Sequence, residues 1–247
     1  MNGSQMPDEF GNDLKTASGA ISQSTFKGFE AAIFDLDGTL VDTAPDLAAA
    51  LNACLAEDGH APFAVNEMRG LVGRGAGALL EKGYRLREGV APTPERLAIL
   101  RARFLEIYGA QICVHSTPFP GVEKALDDLV NAGVRCGVCT NKPHDMAVKL
   151  LDALGWGGRF QAVLGGDAAT QKKPSAIHIQ ETLSAMGDAR AQAFFVGDSE
   201  VDHAAAKAAN MPLILVRFGY SNVPISELAG AIILEDYSQL SAAIAAL

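Results

Sequence analysis

The stretch FDLDGTLVDT, residues 34–43, decides the fold of this chain. The apolar residues 31–34 predict a short buried strand that ends at the first acid. Asp35 and Asp37 would then lie at the carboxyl edge of a sheet, where open α/β sheets bind their ligands. An Asp-Gly pair such as Asp37-Gly38 is also typical of an ordinary turn, so the rest of the chain has to supply partners for the two acids.

The composition is that of a globular protein with a sizeable core. The chain has 247 residues, of which 49% are hydrophobic and 20% charged, which allows one large domain or two smaller ones. Its net charge of -9 excludes a nucleic-acid backbone as the main partner. The sequence shows no secretory start and no apolar run of roughly 18 residues, so we expect a cytoplasmic monomer or homodimer without a membrane partner.

The four cysteines are too few and too scattered for a disulfide scaffold, which agrees with a reducing compartment. Cys136 and Cys139 form a C-x-x-C pair, a spacing that also occurs in redox and zinc sites. They lie in a predicted strand, where residues three apart face opposite sides of the sheet. We therefore expect both to be small core residues.

Three segments differ in their patterns. Residues 1–29 are rich in small polar residues and predict a flexible extension. Residues 45–116 show helical periodicity without a convincing strand and predict a helical cap. Residues 30–44 and 117–247 form the predicted core. In the second core segment helices alternate with strands, which indicates βαβ units and a parallel sheet. The predicted fold class is α/β, a Rossmann-like parallel sheet with a helical cap inserted after the first strand.

The first cap helix has a recognisable start. Thr43 and Asp46 have the spacing of a capping box, and Pro45 falls in the first turn. We expect the helix to begin directly after Thr43, so the chain would leave the core at the end of the motif.

Polar residues follow the predicted strands 134–139 and 162–164. Thr140, Asn141 and Lys142 precede a helix whose free N–H groups suit phosphate oxygens, although Thr140 alone would also fit a simple helix cap. Lys173 precedes another helix, where a cation opposes the helix dipole unless it has an anionic partner. The alternative for this lysine is a solvated surface position.

Further acids follow the predicted strand 193–196. Asp198 and Asp202 are one helical turn apart and can point toward the same edge, and Ser199 lies between them. A single acid here would also fit a local helix cap. Several carboxylates at one site repel each other unless a divalent cation neutralises them, and oxygen ligands combined with a phosphate suit Mg²⁺.

The chain thus has four motifs in order over residues 31–218, marked by Asp35 and Asp37, Thr140, Lys173, and Asp198 and Asp202. Together they resemble the haloacid dehalogenase superfamily, whose phosphatases carry the string D-x-D-G-T-[LV]. The resemblance implies that Asp35 attacks phosphorus and forms an aspartyl-phosphate. It implies that Asp37 protonates the leaving oxygen and later deprotonates the attacking water. Dehalogenases and phosphonatases of the superfamily lack this second acid, so Asp37 points to a phosphatase or phosphomutase.

The resemblance also assigns the remaining site residues. Mg²⁺ is expected on the carboxylates of Asp35 and Asp198 and on the backbone carbonyl of Asp37. Lys173 and Thr140 are expected to hold the phosphoryl oxygens. The residues expected to contact substrate are Gly38, Thr39, Asn141 and Lys142. Ser199 and Asp202 are expected to support the site, with Asp202 positioning Lys173 or a metal-bound water.

A glycine-rich loop in the predicted cap, residues 70–78, carries Arg74. The loop lacks the preceding strand that a dinucleotide site needs, so we reject that interpretation. In phosphoglycolate phosphatases a similar cap loop faces the active site, and arginine pairs well with carboxylates. An exposed arginine in a loop is an equally good interpretation of Arg74.

The pattern as a whole predicts a Mg²⁺-dependent phosphatase of a small phosphate ester, most similar to phosphoglycolate phosphatases. The chain departs from the family at two places. After Lys173-Pro174 it continues with Ser175-Ala176-Ile177, where relatives often have a second proline, and it has Asn210 where they usually have glycine. The alternatives are a sugar phosphomutase of the same fold, a phosphatase of another sugar phosphate or nucleotide, and a non-catalytic binding module.

Overall fold

The computed structural model describes Phe26 and residues 28–247. Within them the strands are β1 Ala31–Phe34, β2 Val41–Asp42, β3 Thr117–Pro118, β4 Arg135–Thr140, β5 Ala162–Gly165, β6 Ala193–Gly197, β7 Leu213–Val216 and β8 Ile232–Leu234. The helices are α1 Ala44–Glu57, α2 Val65–Arg69, α3 Ala76–Glu88, α4 Pro94–Ala110, α5 Val122–Asn131, α6 His144–Ala153, α7 Ala176–Ala185, α8 Glu200–Ala208 and α9 Leu240–Ala245, with short 3₁₀ turns at Ile225–Glu227 and Tyr237–Gln239.

The first strand lies inside the sheet rather than at its edge. Six parallel strands are ordered β5-β4-β1-β6-β7-β8. The connections contain α-helices, apart from the one between β7 and β8, which has a 3₁₀ turn. Phe34, the last residue of β1, pairs with Val138 of β4 and Val196 of β6. Because the neighbouring strands run parallel to β1, their carboxyl ends meet at the same edge. The predicted α/β fold class is confirmed.

The sheet is covered on both faces, as a parallel sheet requires. Cys136 belongs to the apolar cluster on one face and Cys139 to the cluster on the other, so the prediction that their thiols diverge is confirmed. Burial raises the pKa of each thiol to about 12, which keeps both protonated at neutral pH. Their place in the sheet is structural.

Helices α1 to α4 all lie between β2 and β3, in the segment predicted to be a cap. The two short strands pair antiparallel, so the chain leaves and re-enters the core side by side; the sequence analysis did not predict this pair. Helix α1 packs against α2 and α4, and α3 packs against α4. The division into a core and a cap at residues 45 and 116 stays a prediction.

The predicted capping box at Thr43 is wrong, although the helix begins where it was expected. Thr43 makes no hydrogen bond to the free N–H groups of α1 through its side chain. Asp46 instead accepts hydrogen bonds from the backbone N–H groups of Val114, His115 and Ser116. This carboxylate ties the returning chain to the outgoing helix, a contact that local spacing cannot reveal.

Most of the predicted N-terminal extension lies outside the described residues. Its last part packs on the core: Phe26 is 4% exposed, and the ring of Phe29 lies edge-on to Phe194 with 5.2 Å between centroids. The boundary of the extension at residue 29 stays a prediction. Among the described residues, no helix combines the length and the hydropathy needed to cross a membrane.

Candidate active site

The site begins where β1 ends. Asp35 is 5% exposed, and its backbone N–H continues the sheet by donating to the carbonyl of Val196 at 2.9 Å. One carboxylate oxygen, Oδ1, accepts the Leu36 N–H at 2.7 Å and lies 2.9 Å from the Lys173 Nζ. Burial raises the pKa of Asp35 to about 7, with Lys173 acting in the opposite direction.

Lys173 is buried and bridges two acids. Its Nζ lies 2.9 Å from Asp35 Oδ1 and 2.7 Å from Asp202 Oδ1, and its side chain is 1% exposed. Although burial lowers the pKa of this ammonium, Asp202 and Asp35 together outweigh that effect and raise it well above its usual value. The solvated alternative is excluded. The prediction that Asp202 positions Lys173 agrees with this contact.

The two acids after β6 have different surroundings. Asp202 Oδ2 accepts hydrogen bonds from the backbone N–H groups of Asp198 and Ser199, each at 3.1 Å, and from the Ser199 hydroxyl at 2.7 Å. Asp198 turns its carboxylate toward the β1 loop, where Oδ1 accepts from the Thr39 hydroxyl at 3.1 Å. Asp202 therefore holds the α8 start and Lys173 together and leaves Asp198 to face the site.

Gly38 is required by this packing. Its φ of +85° lies in the left-handed region, and a Cβ at this position would come 2.5 Å from Asp198 Oδ2. Any larger residue would push Asp198 away from the β1 loop. Gly38 and Thr39 therefore set the position of Asp198, whereas the sequence analysis expected them to contact substrate.

The carboxylates of Asp35, Asp198 and Asp202 form the candidate metal centre, with one ligand atom of each within 4.8 Å of the others. Asp202 was not predicted as a ligand, and both of its oxygens already accept hydrogen bonds. Burial and the neighbouring acids Asp202 and Asp35 raise the pKa of Asp198 well above its usual value. A divalent cation would relieve this repulsion, and a donor set made only of oxygen fits Mg²⁺.

Asp37, the second acid of the motif, is paired with the ammonium group of Lys142. Lys142 Nζ donates to Asp37 Oδ1 at 2.9 Å and to the Tyr108 hydroxyl at 2.7 Å, and the Thr43 hydroxyl donates to the same Asp37 oxygen at 2.8 Å. Tyr108 belongs to α4. Lys142 was predicted to contact substrate, but the structure engages its ammonium with Asp37 and with the cap helix.

The loop after β4 lines the same cavity. Thr140 is 1% exposed, and its hydroxyl oxygen accepts the Lys142 N–H at 3.3 Å. Asn141 Nδ2 donates to the carbonyls of Gly73, in the glycine-rich loop, and of Lys173, at 3.2 and 3.0 Å. Asn141 thus joins the glycine-rich loop to the backbone of Lys173, a role that the sequence did not indicate.

The cavity has a polar side and an apolar side. The polar side is formed by Asp35, Asp37, Thr140, Asn141, Lys142 and Pro143. The opposite side comes from α1, α3, α4 and the glycine-rich loop, and its lining residues are Leu47, Val72, Gly73, Gly75, Ala76, Leu79, Phe104, Leu105 and Tyr108. Among these residues, the Tyr108 hydroxyl is the polar side-chain group that the cap helices present.

Arg74 is not among the residues that line this cavity. Its side chain is 63% exposed, and its guanidinium lies 3.6 Å from Glu200 Oε1. Lys172 donates to the Arg74 carbonyl at 3.1 Å. The structure thus places Arg74 at the outer rim, over α8, and a contact between Arg74 and substrate stays a prediction.

Two residues that the sequence analysis did not single out support the site. His178 is buried beneath Lys173, where its Nδ1 accepts the Lys173 N–H at 3.1 Å and its Nε2 lies 3.1 Å from the Leu164 carbonyl. Burial, followed by the nearby Lys173, lowers the pKa of His178 to about 4, so the ring is neutral and Nε2–H donates to Leu164. Tyr220 donates its backbone N–H to Asp198 Oδ2 at 2.6 Å.

Comparison with known proteins gives consistent results. A family model described as haloacid dehalogenase-like hydrolase matches residues 32–216. A phosphoglycolate phosphatase of Caulobacter vibrioides is 42% identical over 204 residues, covering 83% of this chain and 86% of the relative. A phosphoglycolate phosphatase of Agrobacterium fabrum is 41% identical over 213 residues, covering 86% and 91%.

Solved structures give the same picture. A predicted phosphoglycolate phosphatase from Haemophilus somnus superposes with a TM-score of 0.79 at 28% identity, covering 89% of this chain and 97% of that one. CbbY from Rhodobacter sphaeroides in complex with phosphate gives a TM-score of 0.73 at 25% identity, covering 86% and 96%.

Proposed function

The chain belongs to the haloacid dehalogenase-like hydrolases, and we propose that it hydrolyses 2-phosphoglycolate through an aspartyl-phosphate on Asp35. The broader assignment, a phosphoric monoester hydrolase similar to phosphoglycolate phosphatases, follows from the relatives. The substrate and the covalent step are the proposal.

The observation that carries the proposal is the different surroundings of two acids in one cavity. Asp35 faces Lys173 and the acid cluster, whereas Asp37 faces Lys142 and Tyr108. The first arrangement suits a nucleophile aimed at a phosphoryl group near a cation. In the second, Lys142 and Thr43 both donate to Asp37 Oδ1, so Oδ2 is the oxygen that we assign to proton exchange with the leaving oxygen.

The reaction then proceeds in two steps. In the first, a carboxylate oxygen of Asp35 bonds to phosphorus, the bond between phosphorus and the ester oxygen breaks, and Asp37 gives its proton to the departing glycolate oxygen. In the second, Asp37 takes a proton from water, whose oxygen bonds to phosphorus and releases phosphate from Asp35. Lys173 and Thr140 hold the phosphoryl oxygens in both steps.

Mg²⁺ bound by Asp35 and Asp198 would supply positive charge for the phosphoryl oxygens and allow the two carboxylates to ionise together. Asp202 stays with Lys173, and Ser199 holds Asp202 in place. The cluster of three acids supports this assignment. The backbone carbonyl of Asp37 is proposed as a further oxygen ligand.

The experiment is a phosphate-release assay with Mg²⁺ on 2-phosphoglycolate, sugar phosphates and nucleotides. We expect a preference for 2-phosphoglycolate, and we expect Asp35→Asn to lower kcat by about 10⁴-fold or more because the nucleophile is lost. Asp127→Asn is the matched control, since Asp127 pairs with Arg159 on the surface.

Several outcomes would contradict the proposal. Equal phosphate release by wild type and Asp35→Asn would exclude Asp35 as the nucleophile. Isomerisation of a hexose 1-phosphate in the presence of its bisphosphate, without phosphate release, would show a phosphomutase instead. No turnover of any ester would favour a binding module.

A further inference from the structure

The outgoing linker between core and cap is held by one side chain. Residues 42–44 span the junction of β2 and α1, and the hydroxyl of Tyr220 accepts the backbone N–H groups of Thr43 at 2.8 Å and Ala44 at 3.0 Å. The same hydroxyl donates to Asp42 Oδ1 at 2.6 Å. A phenol has one proton to donate and two acceptor positions, so this hydroxyl is fully used.

The backbone of the same residue holds the candidate metal centre. The Tyr220 N–H donates to Asp198 Oδ2 at 2.6 Å, and Tyr220 is 2% exposed. The backbone before Tyr220 packs tightly against Asp198, because a Cβ on Gly219 would come within 2.5 Å of the same oxygen. Asp198 and the phenol therefore belong to one close-packed unit.

A cap residue completes the arrangement. Arg69, at the end of α2, donates to Asp42 Oδ2 at 2.6 Å, and its guanidinium carbon lies 5.6 Å from the centre of the Tyr220 ring. We call Tyr220, Asp42 and Arg69 the linker clasp. It joins cap helix, linker and core through hydrogen bonds and a cation–π contact, with the Tyr220 side chain buried and the Arg69 side chain 40% exposed.

We propose that Tyr220 is a positioning residue that couples the placement of Asp198 to the placement of the cap. Its backbone fixes the acid and its hydroxyl fixes the linker. Any shift of the acid when a metal binds is therefore transmitted to the first turn of α1. The apolar wall that α1 contributes to the cavity moves with that turn.

The role of Asp198 as a metal ligand rests on the proposed function, whereas the clasp geometry does not. Coupling between two sites is reciprocal, so Mg²⁺ alone must change the protection of the linker if the inference is right. This change can be read without substrate and without turnover. Failure of the phosphatase assay and failure of the coupling are thus separate results.

The test is amide hydrogen exchange at Thr43 and Ala44 in the full chain, with and without Mg²⁺. In the wild type we expect Mg²⁺ to slow exchange of these two amides by about fivefold or more. In Tyr220→Phe, which keeps the ring and the backbone N–H to Asp198, we expect exchange to be about tenfold faster and the Mg²⁺ effect to be lost.

Tyr84→Phe is the matched control, because it removes a hydroxyl from a buried ring inside the cap, where Tyr84 donates to Asp58. This variant should keep the wild-type response to Mg²⁺ at Thr43 and Ala44. Arg69→Met breaks the clasp from the cap side and should weaken the response without touching Asp198. The inference would be overturned if Mg²⁺ did not change amide exchange at Thr43 and Ala44 in the wild type. It would also be overturned if Mg²⁺ slowed exchange in Tyr220→Phe as much as in the wild type.

Discussion

The two sides of the cavity differ in chemical character. The polar side, which the core contributes, is the core side, and the apolar side, which the cap helices contribute, is the cap side. On the core side, the cations Lys173 and Lys142 are buried, and each lies within 3 Å of a carboxylate oxygen. On the cap side the wall is apolar apart from the Tyr108 hydroxyl, and the nearby arginine, Arg74, lies at the exposed rim beside Glu200.

The difference indicates a division of labour. Charges that are buried and paired keep their positions, because moving one leaves its partner unpaired in a poorly solvated site. In the proposed reaction the core side would therefore present one fixed arrangement to the phosphoryl group, which is common to all phosphate esters. Apolar side chains select by shape and by exclusion of water, so the cap side is suited to the variable part of the substrate.

The largest expected effect tests the fixed charges of the core side. Lys173→Met leaves Asp35 and Asp202 without their shared cation, and we expect kcat to fall by about 10²–10³-fold. We also expect the free energy of unfolding to fall by about 3 kcal/mol, since a buried ion pair is broken from one side. Steady-state kinetics and urea unfolding measure the two effects.

Lys172→Met is the matched control for this comparison. Lys172 is the preceding residue, is exposed, and donates only to the Arg74 carbonyl among the described groups. Its replacement should change kcat by less than about threefold. Equal losses in the two variants would show that the burial of Lys173 does not matter, and the contrast between core and cap would fail.

A second prediction concerns His178, which accepts the backbone N–H of Lys173. The pKa of His178 is lowered from 6.5 to about 4 in the folded protein, so the unfolded chain binds more protons between these values. Folding stability should therefore fall as the pH drops from about 6.5 toward 4, by on the order of 3 kcal/mol from this residue. His178→Asn, which cannot titrate, should lack this part of the pH dependence.

Urea unfolding at a series of pH values measures the difference between the two proteins. His203→Asn serves as a control, since His203 is a half-buried histidine of α8 that contacts the Ala229 carbonyl. If the stability difference between wild type and His178→Asn is the same at pH 7.5 and at pH 4, His178 does not hold Lys173 as a neutral ring.

The smallest expected effect is on the cap side. Arg74→Ala should change kcat/KM for 2-phosphoglycolate by less than about threefold, because an exposed ion pair at 3.6 Å contributes little. Arg101→Ala is a suitable control, since Arg101 is also a half-exposed arginine, 3.9 Å from Asp167. A selective loss of tenfold or more for 2-phosphoglycolate in Arg74→Ala would show that the cap contributes a charge, and it would break the contrast drawn above.

The sequence predicted the core side well because strand ends are local features. Apolar runs mark the strands, and the polar residues that follow them, such as Asp35, Thr140 and Asp198, must meet where parallel strands end together. The roles predicted for Lys142 and for the pair Thr43 and Asp46 differ from the contacts observed. Each of these side chains has several possible partners, and the choice depends on residues far away in the chain.

The residues that the sequence did not reveal act across long separations. Tyr108 reaches Lys142 from α4, Tyr220 reaches the linker from beyond β7, and His178 supports Lys173 from the side away from the cavity. In the sequence, Tyr108 is simply an apolar position of an amphipathic helix. A hydroxyl or ring nitrogen in such a position gives no sign of its partner before the fold is known.

The strand order has a consequence for how the chain folds during synthesis. β1 is made first, but it pairs with β4 and β6, which follow about 100 and 160 residues later. The helices α1 to α4 contact one another over shorter separations, so we expect them to fold on the ribosome while β1 still waits for its neighbours. During that interval we expect the apolar β1 to remain unpaired and exposed to water.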